Sequence, residues 1–325
     1  MLCNLICTLA LAVAAPWQKP AAEPASAPTS PGPRRAFGFS YDEPKQRMLL
    51  FGGASNPDVQ VGLDATWSFS AAKWSALAAK GPSARRGCSS IFDAKRGQTI
   101  LVGGGQGDDP TSPVFDDTWL FDGATWTKSP ASVPGKRTHF AAAYDRKREC
   151  AVLVGGMNTE NGKMLGDVLE WNGSEWKASA AVAPDGLFAP QLAFDEKAGL
   201  LVLISTKMPE RKLATWTFDG ATFAKLDENG PPVIASGQSL VTLGPRGGVM
   251  LFGGFGAEKP VADTWSWDGK TWKQLDAPGP SARVAHSMAY DRKRSRVVLF
   301  GGEDGTKVLG DVWEFDGRAW KESKQ

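Results

Sequence analysis

Four arginines stand at matching points of the sequence: Arg34, Arg85, Arg137 and Arg283. A guanidinium grips a carboxylate bidentately, so four of them converging would form a cationic collar for carboxylates or acidic sugars. The same residues could instead bond backbone carbonyls between repeated units. Because the arginine belongs to the repeat itself, the bracing reading is preferred. Asp108 and Asp109 are adjacent in a long polar stretch and could contribute to a calcium site, but calcium takes 6–8 oxygens. They are kept with the four arginines as candidate ligand-binding residues. His139 and His286 follow two of those arginines closely, and packing is preferred to catalysis for both. Cys88 and Cys150 lack C-x-x-C spacing and are too few for a zinc site; two small buried thiols are preferred to a disulfide. No G-x-S-x-G, H-E-x-x-H or phosphate loop occurs. No catalytic residue, metal or cofactor is therefore expected.

The elements that would position these residues are repetitive. After Pro33 one pattern of roughly fifty residues recurs six times, a period typical of propeller blades. In the last copy it reads Arg283, the small-residue stretch Ser287-Met288-Ala289, Tyr290-Asp291, a basic turn and Val297-Val298-Leu299-Phe300-Gly301-Gly302. A polar loop, Asp311-Val312-Trp313-Glu314-Phe315, Asp316-Gly317 and Trp320 complete it. Each copy offers four short strand-like runs. Asp122-Gly123, Asn172-Gly173, Asp219-Gly220, Asp268-Gly269 and Asp316-Gly317 supply the positive φ angles of two-residue hairpin turns. An aromatic trio recurs as Trp67/Phe69/Trp74, Trp119/Phe121/Trp126, Trp265/Trp267/Trp272 and Trp313/Phe315/Trp320; Leu169/Trp171/Trp176 and Trp216/Phe218/Phe223 keep its spacing. Blades that radiate from an axis leave gaps widening outwards. Large rings are thus expected on outer strands and small residues such as Gly38, Ala141 and Ala289 on inner ones.

With its diglycines Gly52-Gly53, Gly103-Gly104, Gly155-Gly156, Gly253-Gly254 and Gly301-Gly302, and a Trp downstream of most, the repeat resembles the kelch repeat of exported bacterial proteins. The resemblance covers Pro33 to about Lys321 and implies an all-β, six-bladed β-propeller of four-stranded antiparallel blades. The expected blades are 34–79, 82–130, 134–180, 184–228, 231–276 and 280–323, within a propeller domain of 34–325. The fourth copy departs, with Leu187 for the arginine and Ile204-Ser205 for the diglycine; the fifth has Leu243-Gly244 for Tyr-Asp. Some kelch domains bind acidic peptides through similarly placed arginines, which keeps the collar in play. Galactose oxidase shares the kelch propeller, but its copper site uses two tyrosines and two histidines. Here Tyr41, Tyr144 and Tyr290 all occupy one repeated hairpin position, leaving none for such a site. Phe121-Asp122-Gly123-Ala124-Thr125-Trp126 lacks the residue between Asp and Gly that a sialidase Asp-box requires.

Strand order places every tight hairpin on one face and the long variable loops, with the four arginines near the channel mouth, on the other. Binding residues concentrate on loops carried by rigid scaffolds. The expected function is a non-catalytic protein- or glycan-binding scaffold working through the loop-rich face. The alternative is a carbohydrate-active enzyme using Asp108, Asp109 or Asp116. A formal charge of +2 offers no overall field to attract nucleic acid or an anionic membrane. The basic turns Arg146-Lys147-Arg148 and Arg292-Lys293-Arg294 read as solvated hairpins.

Leu5 to Ala15 is apolar and ends in small residues, as a secretory signal does, although no Lys or Arg precedes it. Residues 1–15 are read as a signal peptide and 16–33 as a Pro/Ala-rich tether. The protein is expected to be exported to the periplasm, cell surface or medium. A monomeric ring is expected, with a protein or carbohydrate partner, no nucleic acid and no transmembrane segment after signal cleavage.

Overall fold

The computed structural model describes residues 28–56, 62–107, 112–207, 212–226, 231 and 237–324. The signal segment and most of the tether lie outside the described residues. The described residues form six sheets of four antiparallel strands taken in chain order, and a two-stranded pairing of Arg137–Thr138 with Met157–Asn158. Blade 1 comprises Gly38–Asp42, Arg47–Phe51, Thr66–Ser70 and Lys73–Leu77, numbered strands 1 to 4 from the axis outwards. Strand 1 of every blade packs against strand 1 of both neighbours, so the inner strands close a ring: a six-bladed β-propeller. The only helical element among the described residues is the 3-10 turn Gly244–Arg246. No helix there is long and apolar enough to cross a membrane.

Each second strand is buried on both faces and reads as a continuous apolar run, such as Met48-Leu49-Leu50-Phe51. Outside it, aromatic rings fill the wedges between blades. Trp74 lies 5.0 Å from Phe69 of its own blade and 4.8 Å from Phe300 of blade 6; Trp126 and Trp320 bridge to Phe51 and Phe252 in the same way. The first ring of the trio is less enclosed in blades 2, 5 and 6, whereas Trp67 and Trp216 are buried. Trp119, Trp265 and Trp313 are only half-buried.

The strand-4 tryptophans also carry a polar connection between blades. Trp126, Trp176, Trp272 and Trp320 donate their indole N–H to Thr66, Thr118, Thr215 and Thr264 of the preceding blade, at 2.9–3.0 Å. Where that threonine is replaced by Val168, the following blade carries Phe223, which has no N–H to satisfy. The seam between blades 6 and 1 breaks the rule. Val312 takes the threonine position, and the buried Trp74 Nε1 has no partner.

That seam is closed on the loop face by the segment leading into blade 1. Arg34 N–H donates to Leu309 O at 3.0 Å, Gly302 N–H to Arg34 O at 2.9 Å, and Ala36 N–H to Ala285 O at 2.9 Å. An Arg35–Glu303 ion pair at 3.2 Å accompanies them. All four strands of blade 6 come from the C-terminal part of the chain, so ring closure is entirely non-covalent.

The departure in the fifth copy lies one residue earlier than the sequence suggested. The strand register places Thr242 and Leu243, rather than Leu243 and Gly244, at the Tyr-Asp positions; Gly244, at φ +65°, follows them where a Cβ would sit 2.2 Å from the Tyr290 ring.

Candidate functional site

On the loop face the fourth blade departs from the pattern of the others. Elsewhere the diglycine stops strand 2: Gly52 and Gly53 adopt φ of 73° and 93°, which few other residues tolerate. Blade 4 has Ile204-Ser205 instead. Its strand 2 continues to Lys207, its strand 3 begins at Lys212 and its strand 1 at Leu187. Leu187 pairs with Lys207, so strand pairing in this blade runs on past the position where the diglycine interrupts it elsewhere. Four large apolar residues are exposed among the described residues: Met164, Val182, Phe188 and Phe255. Strand direction places all four on this face, on blades 3, 4 and 5. Val182 pairs with Asp167 and Ala183 N–H reaches Gly166 O, which brings Val182 beside the Met164 loop.

The four candidate arginines sit elsewhere on the same face, and all are buried. Arg283 makes one hydrogen bond from Nε and two from each terminal nitrogen. Its acceptors are Ser281 O, Gly301 O, both Asp311 carboxylate oxygens and Ser281 Oγ, at 2.8–3.1 Å. Arg85 repeats this on Ser83, Gly103 O and Asp117, and Arg137 on Pro134 O, Gly135 O, Gly155 O and Asp167. The five N–H donors of each guanidinium are therefore engaged. Trp119 and Trp313 add their indole N–H groups to Asp117 and Asp311, and these two carboxyls are held below the usual carboxylate range by their partners against the opposing effect of burial. The arrangement ties the start of strand 1 to the diglycine and to the start of strand 3. It braces one blade, whereas the sequence suggested braces between blades. Arg34 shares only part of it.

Asp108 and Asp109 lie outside the described residues, and Asp116 is half-buried. The two histidines part company: His139 is exposed and bonds Thr138 Oγ1 at 3.0 Å. His286 is buried edge-on against Phe252, and burial pushes its pKa down to about 3. Tyr144 accepts a hydrogen bond from Lys95 N–H of the preceding blade. Cys88 is buried and Cys150 half-buried; both are free, with pKa values raised to about 11 by burial. Among the described residues no group of three or more His, Cys, Asp or Glu is placed to hold a metal.

The opposite face carries an arrangement that was not legible from the repeat. The residue after each strand-1 aspartate points to the axis. In four blades it is charged, with alternating sign: Glu43, Arg146, Glu196 and Arg292. Arg146 pairs with Glu43, Arg292 with Glu196, and looser contacts of 3.8 Å join the two pairs across the mouth of the axial channel. Behind them lies a cavity of ≈170 Å³ walled by inner strands. The basic turns are thus only partly solvated: Lys147 and Lys293 are exposed, while Arg146 and Arg292 turn inwards. Others staple neighbouring blades, Arg47 to Gly123 O, Arg96 to Asn172 O and Arg246 to Asp316 O.

No protein-family model matches the sequence, and a comparison with curated proteins finds no match. Among solved structures, that of YjhT superposes with a TM-score of 0.70 over 91% of this chain and 99% of that one, at 16% identity. At that identity the likeness shows the fold alone, a propeller of the same build.

Proposed function

We propose that this chain is an exported kelch-type propeller that binds a protein or glycan partner without catalysis, through its loop face. One observation carries the reading. Every exposed large apolar side chain among the described residues lies on that face, within the arc of blades 3 to 5. Apolar groups clustered on a rigid surface are the usual mark of a partner site. Met164, Val182, Phe188 and Phe255 offer dispersion and desolvation but no donors or acceptors for sugar hydroxyls, which favours a protein over a glycan. The intrablade arginine braces and the diglycines support kelch identity. Export is supported by the apolar run before Ala15.

The test is capture from the envelope fraction of the native organism by immobilised chain starting at residue 16. A discrete species should be retained by wild type and by the hairpin-face control Lys147→Glu, and lost at least tenfold by Met164→Asp/Phe188→Asp. Identical profiles for all three would overturn the assignment of the arc. Binding on a glycan array, with no protein retained, would move the ligand to the carbohydrate arm.

A further inference from the structure

Blade 1 lacks one component of the brace that blades 2, 3 and 6 share. Arg34 donates from Nε and Nη2 to Pro31 O and from Nη1 to Gly52 O, the counterparts of the backbone and side-chain bonds made by Arg85, Arg137 and Arg283. The two bonds that those arginines give to Asp117, Asp167 and Asp311 are missing, because Ala65 stands where the aspartate would be. One N–H on each terminal nitrogen is left, side by side, in the geometry that takes a carboxylate bidentately.

We propose that this open fork of Arg34 is a carboxylate-binding site on the loop face, accepting from a ligand the group that the other blades supply from their own chain. Three observations support it. First, the position borders solvent: the Asp117, Asp167 and Asp311 side chains are 12, 35 and 26% exposed. Ala65 carries no side chain beyond Cβ to fill the place that the aspartate takes in the other blades. Second, Arg34 is buried with no carboxylate paired to it among the described residues, and desolvation draws its pKa down to about 10. It remains a cation at neutral pH, and an incoming anion relieves an unpaired buried charge. Third, closure of a blade does not demand this charge, since Leu187 occupies the equivalent position in blade 4. The inference deepens the loop-face reading by giving the partner a carboxylate. It is read on the isolated chain, so it stands or falls separately from partner capture.

The experiment measures the melting temperature of the whole chain from residue 16 in sodium formate against sodium chloride of equal ionic strength. Three proteins are compared: wild type, Ala65→Asp and Asp117→Ala. Wild type should show a saturable rise in formate. Ala65→Asp supplies the carboxylate internally; it should melt higher in chloride and no longer respond. Asp117→Ala should melt lower in chloride and show a larger formate response than wild type, because a second fork has been opened at Arg85. A wild type that melts identically in both salts overturns the site, most clearly if Asp117→Ala does respond, and so does an Ala65→Asp that responds as wild type does. Should Ala65→Asp fail to fold, wild type against Asp117→Ala decides. A parallel titration with acetyl-Gly-Asp-Gly-amide separates the sources. Half-saturation at least tenfold below formate identifies a peptide carboxylate, and parity identifies a small free acid.

Discussion

Two neighbouring seams of the ring are built from the same repeat and held differently. Between blades 5 and 6, Trp320 donates to Thr264 and His286 lies buried against Phe252, while within blade 6 Arg283 closes its full set of five bonds. Between blades 6 and 1, Trp74 faces Val312 with its N–H unpaired, Arg34 has no aspartate, and Phe37 occupies the position of His286. Apolar contact is similar in the two: Trp74 and Trp320 both lie about 5 Å from a phenylalanine of the adjoining blade. The difference is polar. The seam where the ends of the propeller meet is packed like the other and carries the same three backbone bonds, but it lacks the indole bond; the Arg35–Glu303 ion pair is its own addition.

The largest expected effect that would sharpen this contrast comes from the arginines. Arg283→Met strands the Asp311 carboxylate and should cost ~3 kcal/mol, whereas Arg34→Met strands no charge and should cost ~1 kcal/mol. Urea midpoints of the two variants measure this, and equal losses would erase the distinction. Next comes acid. The pKa of His286 lies near 3 in the fold against about 6.5 when unfolded, so the unfolded chain binds the extra proton first. Its contribution is intact above pH 6.5 and declines as pH falls towards 3. His286→Phe, which installs the residue found at Phe37 and Phe140, should flatten the melting-temperature profile between pH 6.5 and 4; an unchanged slope would place the acid sensitivity elsewhere. The smallest effects concern the indoles. Val312→Thr should give Trp74 its missing acceptor and stabilise by ~1 kcal/mol, while Val168→Thr buries a hydroxyl facing Phe223 and should destabilise by a similar amount. Thermal melts showing the same sign for both would refute the pairing rule.

Much of the ring was legible because its causes are local or periodic. Asp-Gly turns need positive φ, and aromatic spacing follows from a wedge that widens outwards. Part of the seam chemistry was also present in the sequence but unread. Thr66, Thr118, Thr215 and Thr264 each precede the first member of the trio by one residue, and Val168 and Val312 break that series. The candidate site was less accessible. The arginines could be placed on the loop face, but their acceptors could not. Asp117, Asp167 and Asp311 lie 28–32 residues downstream and meet them only after the sheet has formed.

By itself, then, the sequence determined the period, the order of strands and the face each turn occupies, since these follow from side-chain size, alternation and backbone conformation within one repeat. The tertiary structure decided which charges are spent and which remain open. Arg34 is distinguished from Arg85 by an alanine thirty-one residues away. Glu43, Arg146, Glu196 and Arg292 meet only because curvature brings blades 1, 3, 4 and 6 to one axis. Interactions at a few ångströms depend on closure of the ring, which no single repeat encodes.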